Sequence, residues 1–357
     1  MLSLKLVSYK IQKSVCRAFK KPSLFHSTVS LRGKCNSSSP PWRILFFGND
    51  DFSVKNLLTL TSKMRTQTII SRLDVVTTSK GNVVHSLAKE ERLLTFEWPI
   101  SKAQIEGNYD IGVVVSFGRL IPEEIIKSFP LGMINVHASL LPRWRGAAPI
   151  VYTILNGDLM SGVTVMKIHP HKFDIGEIVR QHSCSVGQHE TAKQLKEKLA
   201  EMGGRLLVDT FKELTRNLRT AMPQPESGIT YAPKVEKSMA VVDWETSDSK
   251  LLYNKYRALD GLWPLLTTWH GTHVRLFQVK VNRNNLPNVS DQSTPGAIVY
   301  DKRKRILLVK CGGKGGYISV GQVKISGSKI MFGYDFYSGY VGKRPECDRK
   351  FTTTRLD

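Results

Sequence analysis

The sequence predicts an α/β domain built on a mostly parallel sheet, followed by a smaller closed β-barrel. Three observations predict it. From residue 43 to residue 181, short apolar runs of strand length alternate with stretches of helical periodicity, and such alternation makes a sheet whose crossovers are helices. Beyond residue 265 the apolar runs crowd together, separated by glycine and charge clusters, as in a small barrel. Between the two patterns Pro223, Pro225, Ser227 and Gly228 mark a linker.

The elements follow in order. The run 43–48 ends on Gly48, and Val54, Leu57, Leu58 and Leu60 then recur at helical spacing, giving a strand, a turn and a helix. Strands follow at 73–77, 111–116 and 133–136, with helices near 83–88 and 122–128. A helix runs from about Ala147 to Asn156 and Gly157, strands lie near 163–168 and 178–181, and one helix spans Thr191 to about Arg216. After a helix at 251–259 come strands at 265–269, 274–281, 297–300, 306–310, 317–320 and 322–325. The glycine block 312–316 reads as a hairpin turn between two of them.

Composition excludes several classes. The chain has 357 residues, 41% of them hydrophobic, enough for two packed domains. No apolar run approaches the roughly 20 residues of a membrane-spanning helix. Cys16, Cys35, Cys184, Cys311 and Cys347 are scattered, with neither zinc spacing nor disulfide density, which fits a reducing compartment. Gly48 is not followed by G-x-G-x-x-G and no Walker pattern occurs, which argues against a dinucleotide or ATP site. His169, His171, His182 and His189 lack a supporting carboxylate or cysteine pattern and read as solvated or capping residues.

The net charge of +22 is uneven. Residues 1–49 hold nine Lys or Arg and no acid, residues 50–234 hold 23 against 19, and residues 235–357 hold 20 against 11. In the leading segment Leu4, Val7, Ile11, Val15 and Phe19 recur at helical spacing among Lys10, Lys13, Arg17, Lys20 and Lys21. A basic, acid-free amphipathic start of this kind reads as a mitochondrial transit peptide rather than as a plain basic tail, because its charge is drawn toward a negative-inside membrane.

The richest segment is Asn135-Val136-His137-Ala138-Ser139-Leu140-Leu141-Pro142-Arg143-Trp144-Arg145-Gly146-Ala147-Ala148-Pro149. Asn135 and His137 are two apart on a strand and so share a face. An amide donor beside an imidazole suits a carbonyl that becomes a tetrahedral oxyanion, since the amide can bind the developing charge and the imidazole can carry a proton. Isolated polar pairs at strand ends are common, so Asn-x-His alone is weak. Arg143 and Arg145 can be solvated charge or phosphate contacts, and Trp144 can pack or stack on a base.

The whole segment is very similar to the signature of methionyl-tRNA formyltransferases. Gly162-Val163-Thr164-Val165-Met166-Lys167 with Phe173-Asp174-Ile175-Gly176 resembles a second signature of that family, and Thr230-Tyr231-Ala232-Pro233-Lys234 resembles its junction into the C-terminal domain. The resemblance runs from about residue 43 to residue 340. It implies a Rossmann-like formyltransferase domain and an oligonucleotide-binding-like barrel. It further implies 10-formyltetrahydrofolate as formyl donor, initiator methionyl-tRNA as acceptor, and no metal. Asn135, His137 and Asp174 become the catalytic residues, and Ser139, Leu140, Leu141 and Pro142 the folate-binding stretch.

The corresponding division is a transit peptide over 1–40, a catalytic domain over 41–222, a linker over 223–237, a tRNA-binding barrel over 238–345 and a tail over 346–357. The expected protein is a monomer of the mitochondrial matrix, not bound to membrane. Against the bacterial pattern, only Thr78-Ser79-Lys80-Gly81-Asn82 follows the strand 73–77, where relatives carry a long basic loop for the tRNA acceptor end. Arg143, Arg145 and the cluster Lys302, Arg303, Lys304 and Arg305 are then the candidate tRNA contacts. Formyltetrahydrofolate hydrolases and sugar-amine formyltransferases share the Asn/His/Asp chemistry, and a non-catalytic RNA-binding relative is the rival of a different class.

Overall fold

A computed structural model describes residues 39–282 and 294–354. The segment expected to direct import lies almost wholly outside the described residues.

The first sheet opens with β1 (Trp42–Gly48), whose apolar run is buried on both faces, as a central parallel strand must be. Asp50 then starts α1 (Asp51–Met64): its carboxylate accepts the Ser53 amide at 3.0 Å while the Ser53 hydroxyl reaches back, a reciprocal cap. The chain continues through β2 (Ile70–Thr77), α2 (Val83–Glu90), β3 (Thr95–Glu97), α3 (Lys102–Ile105), β4 (Ile111–Val115), α4 (Glu123–Ile126) and β5 (Met133–His137). Proline at the start of α5 (Pro149–Leu155) costs no hydrogen bond there. Strands β6 (Met160–Lys167) and β7 (Ile178–Ser185) and helix α6 (Ala192–Lys212) follow. Strand order is β3-β2-β1-β4-β5-β6-β7, with β1 to β5 parallel and β6 and β7 antiparallel.

One sheet face is covered by α1 and α6, whose apolar residues share a core with Ile44, Phe46, Val113 and Val136. The other carries Phe47, Phe117, Phe129 and Tyr109. The helix expected from Thr191 to Arg216 is two helices. At Glu213 the backbone leaves helical geometry (φ −131°, ψ 42°), and α7 (Leu214–Arg219) begins with Leu214 turned into the core.

The second domain starts with α8 (Ser249–Ala258), followed by β8 (Leu265–Trp269), β9 (Thr272–Asn282), β10 (Ile298–Asp301), β11 (Ile306–Lys310), β12 (Tyr317–Ile325) and β13 (Met331–Phe332). The two strands expected at 317–320 and 322–325 are one, running through Gly321. A Cβ there would lie 2.4 Å from the Gln278 side chain, so glycine lets β12 pass where Gln278 (φ 53°) distorts β9.

The path β10-β11-β12-β9-β8 leaves two edges, and the C-terminal segment joins them. Phe351 donates its N–H to Gly296 O at 2.9 Å, and Thr352 exchanges backbone hydrogen bonds with Thr268 at 2.9 and 3.0 Å. Phe351 is buried, stacked on Phe336 and on Trp244 with ring centroids 5.7 and 5.9 Å apart. The stretch after 345, expected as a tail, therefore closes the barrel through residue 354, because it supplies both the missing pairing and a core aromatic. Among the described residues no helix is long and apolar enough to cross a membrane.

Candidate active site

Strand β5 delivers Asn135 and His137 to one face at its C-terminal end, where ligands bind in parallel-stranded sheets. His137 is buried and Asn135 half-buried. The loop between β6 and β7 brings Asp174 over them. Its Oδ1 lies 3.5 Å from both His137 Nδ1 and Asn135 Nδ2, and its Oδ2 accepts the Gly146 amide at 2.9 Å. The three expected residues are thus brought together by one strand and one loop.

Two glycines permit this approach. A Cβ on Gly176 would sit 1.8 Å from Lys167 O, so only glycine lets the loop fold flat enough to aim Asp174. Gly146 (φ 120°) faces Ala232 O, with 2.7 Å for a Cβ that is not there. Asp174 itself has φ 55°, a left-handed conformation that aspartate tolerates better than most residues.

His137 Nε2 lies 2.9 Å from Trp144 O. A carbonyl only accepts, so Nε2 carries hydrogen in this arrangement and Nδ1 faces Asp174. Trp144 is buried. Its indole N–H donates to Asp158 at 2.8 Å, its ring lies against Tyr152, and Arg143 lies over it at 4.2 Å. Trp144 therefore packs and holds the His137 imidazole, and stacking on a base is not available to it. Arg143 donates twice to Asp158, at 2.8 and 2.6 Å, and that hydrogen bonding raises its pKa above the ordinary guanidinium value. As a phosphate contact Arg143 is already committed elsewhere. Arg145 is not: it donates twice to the neutral carboxamide of Gln224, at 3.0 and 2.7 Å.

In the stretch expected to bind folate, the Ser139 hydroxyl donates to Arg143 O at 2.7 Å and Leu141 is buried. Thr164 accepts from the Leu141 amide and donates to Ser139 O, and Gln181 donates to Leu141 O. Ser139 and Leu141 thus shape the loop from inside, and Leu140 and Pro142 remain half-exposed. Lys302, Arg303, Lys304 and Arg305 form the exposed turn between β10 and β11, where the Asp301 carboxylate accepts the Arg303 and Lys304 amides.

Residues not singled out by sequence also build the site. Asn49, at the end of β1, accepts from Thr77, Thr78 and Asn82 and donates to Phe117 O, fixing the short loop 78–82. Asp158 and Gln224 carry no local pattern that marks them, since their partners are 14 to 79 residues away. Among the described residues no three His, Cys, Asp or Glu side chains are grouped to hold a metal.

Fold and site define the class as a formyl transferase. The formyl transferase family model matches residues 49–211, and that of the formyl transferase C-terminal domain matches residues 234–341. The human mitochondrial methionyl-tRNA formyltransferase is 40% identical over 312 residues, covering 85% of this chain and 78% of the human one. The Methylococcus capsulatus methionyl-tRNA formyltransferase is 33% identical over 316 residues, covering 85% and 99%. This chain belongs to the methionyl-tRNA formyltransferase family. Among solved structures, the N-formyltransferase from Helicobacter canadensis, in complex with folinic acid and dTDP-3-aminofucose, superimposes with a TM-score of 0.59. At 16% identity, covering 78% of this chain and 99% of that one, the likeness is one of fold.

Proposed function

We propose that this protein transfers the formyl group of 10-formyltetrahydrofolate to the amino group of methionine on initiator tRNA, as a monomer in the mitochondrial matrix. The observation that carries this reading is the convergence of Asn135, His137 and Asp174 at the end of β5, with one carboxylate oxygen anchored and the other loosely held. Such a donor and acceptor set suits acyl transfer to an amine. Half-exposed Leu140 and Pro142 beside it offer apolar edges to a flat donor.

The methionine amine, neutral, forms a bond to the formyl carbon, and the carbonyl electron pair moves to oxygen. Asn135 donates its Nδ2 hydrogen to that oxyanion. His137 Nδ1 takes the proton lost by the amine and, now positive, also stabilises the oxyanion. Once Nδ1 carries the proton, Asp174 Oδ1 can accept from it and balance the charge of the ring through the transfer. The proton then passes to the folate nitrogen as the C–N bond breaks and the carbonyl reforms. Because the 3.5 Å separations are long for hydrogen bonds, the site has room to close on substrate.

In this reading residues 1–40 direct import, 41–222 carry catalysis, 223–237 connect, and the barrel from 238 onward holds the tRNA. The test is whether the chain from residue 41 transfers labelled formyl from 10-formyltetrahydrofolate to methionyl-tRNA. Transfer to free methionine at a comparable rate, or none to methionyl-tRNA, overturns it.

A further inference from the structure

We infer that Gln224 is a positioning residue that fixes Asp174 and presents Arg145 as an uncompensated cation to the acceptor. It rests on the reading that the acceptor is an aminoacyl-tRNA. Pro223 and Pro225 flank Gln224, fixing φ at two positions and disfavouring helix between them, so an extended backbone is set before folding. Met222, Pro223, Pro225 and Glu226 are exposed, and Gln224 alone turns inward.

There the carboxamide is fully used. Its Nε2 donates to Asp174 O and to Gly176 O, both at 2.9 Å, and its Oε1 accepts twice from Arg145. The four contacts assign the two ends of the amide unambiguously, since carbonyls accept and guanidinium donates. Holding both carbonyls pins the turn in which Asp174 adopts a positive φ, and so sets where its loose oxygen points.

The neutrality of Gln224 matters as much as its geometry. Arg143 is held by a carboxylate, which cancels its charge. Among the described residues no carboxylate pairs with Arg145, and a guanidinium ordered by a neutral acceptor keeps its full attraction for phosphate. Arg145 is also the backbone partner of Tyr231, whose exposed ring extends the same surface. One side chain of the connecting segment thus ties the catalytic carboxylate to a phosphate receptor adjacent in sequence to Trp144, the imidazole's carbonyl partner.

The test uses the full chain with Gln224→Met, Gln224→Glu, Gln224→Asn and Arg145→Gln. Gln224→Met removes both ends at similar volume. It should lower kcat about tenfold or more with the KM for 10-formyltetrahydrofolate unchanged, and it leaves the salt dependence of tRNA binding intact. Gln224→Glu neutralises Arg145 and should cut the slope of log affinity against log salt by roughly one unit, as Arg145→Gln does. Gln224→Asn keeps the chemistry one methylene short and should fall between the unmodified and Met forms in kcat. Full kcat in a folded Gln224→Met protein, or an undiminished salt slope in Gln224→Glu, overturns the inference. If the unmodified protein does not formylate methionyl-tRNA, it is the proposed function that fails.

Discussion

Gly146 donates its backbone N–H to one oxygen of Asp174 at 2.9 Å and leaves the other, 3.5 Å from both His137 Nδ1 and Asn135 Nδ2, only loosely held. An asparagine at 174 can still accept from Gly146 but offers no negative charge to the imidazole. Asp174→Asn should therefore lower turnover by roughly 100-fold or more while the thermal midpoint changes little. A folded variant with near-normal turnover removes Asp174 from the mechanism.

If Asn135 and His137 act on the same developing charge, as proposed, their losses should not multiply. Asn135→Ala and His137→Ala should each reduce turnover roughly 100-fold, and the double variant should lose less than the product. Single-turnover formyl transfer with both singles and the double closes the cycle. Full multiplicativity argues for two independent roles.

The sheet was legible because its strands are continuous apolar runs, and Asn135 and His137 because two-residue periodicity on a strand fixes a shared face. Asp174 was legible only through resemblance, since its convergence on His137 spans 37 residues of chain. What lay beyond sequence is long-range or depends on a vacancy. Gly321 reads as a strand break until Gln278 is seen to need its space. Phe351 reads as part of a trailing end until its stacking on Trp244, 107 residues earlier, is seen. Arg143 and Arg145 look alike in sequence, and only Asp158 and Gln224 separate a guanidinium paired with a carboxylate from one held by a neutral amide.

Asp158 accepts from Arg143 and from the Trp144 indole, and Trp144 O holds His137. Asp158→Ala leaves a buried indole N–H without that acceptor, which should destabilise the fold by about 2 kcal/mol in urea unfolding. Turnover should fall as well, because the carbonyl partner of the imidazole is no longer fixed. Arg143→Gln should alter the salt slope for tRNA less than Arg145→Gln does. Equal effects would show that Arg143 reaches phosphate despite its pairing.

Phe351 closes the barrel by packing and its segment by hydrogen bonding, so the two contributions can be separated. Phe351→Ala should cost about 3–5 kcal/mol of stability, as for other large buried aromatics. Ending the chain at residue 348 should cost more, since both sheet edges then lose their partner. Denaturant midpoints of the two variants give the comparison. A truncated chain as stable as the full one would mean the segment merely lies on the barrel.

The turn of Lys302, Arg303, Lys304 and Arg305 is exposed, and its shape is set by Asp301, whose carboxylate accepts two of its amides. Replacing all four by serine leaves that backbone pattern and both flanking strands intact, so folding should survive and only charge is removed. If the barrel holds the tRNA stem, affinity should weaken and the slope of log affinity against log salt should flatten by roughly one unit per lost phosphate contact. The KM for 10-formyltetrahydrofolate should not move, because the turn lies on the barrel, whereas Asn135, His137 and Asp174 lie on the first domain. Filter binding of methionyl-tRNA across a salt series reads both quantities. If affinity and slope match the unmodified protein, the four side chains are a solvated turn and the electrostatic contribution rests with Arg145.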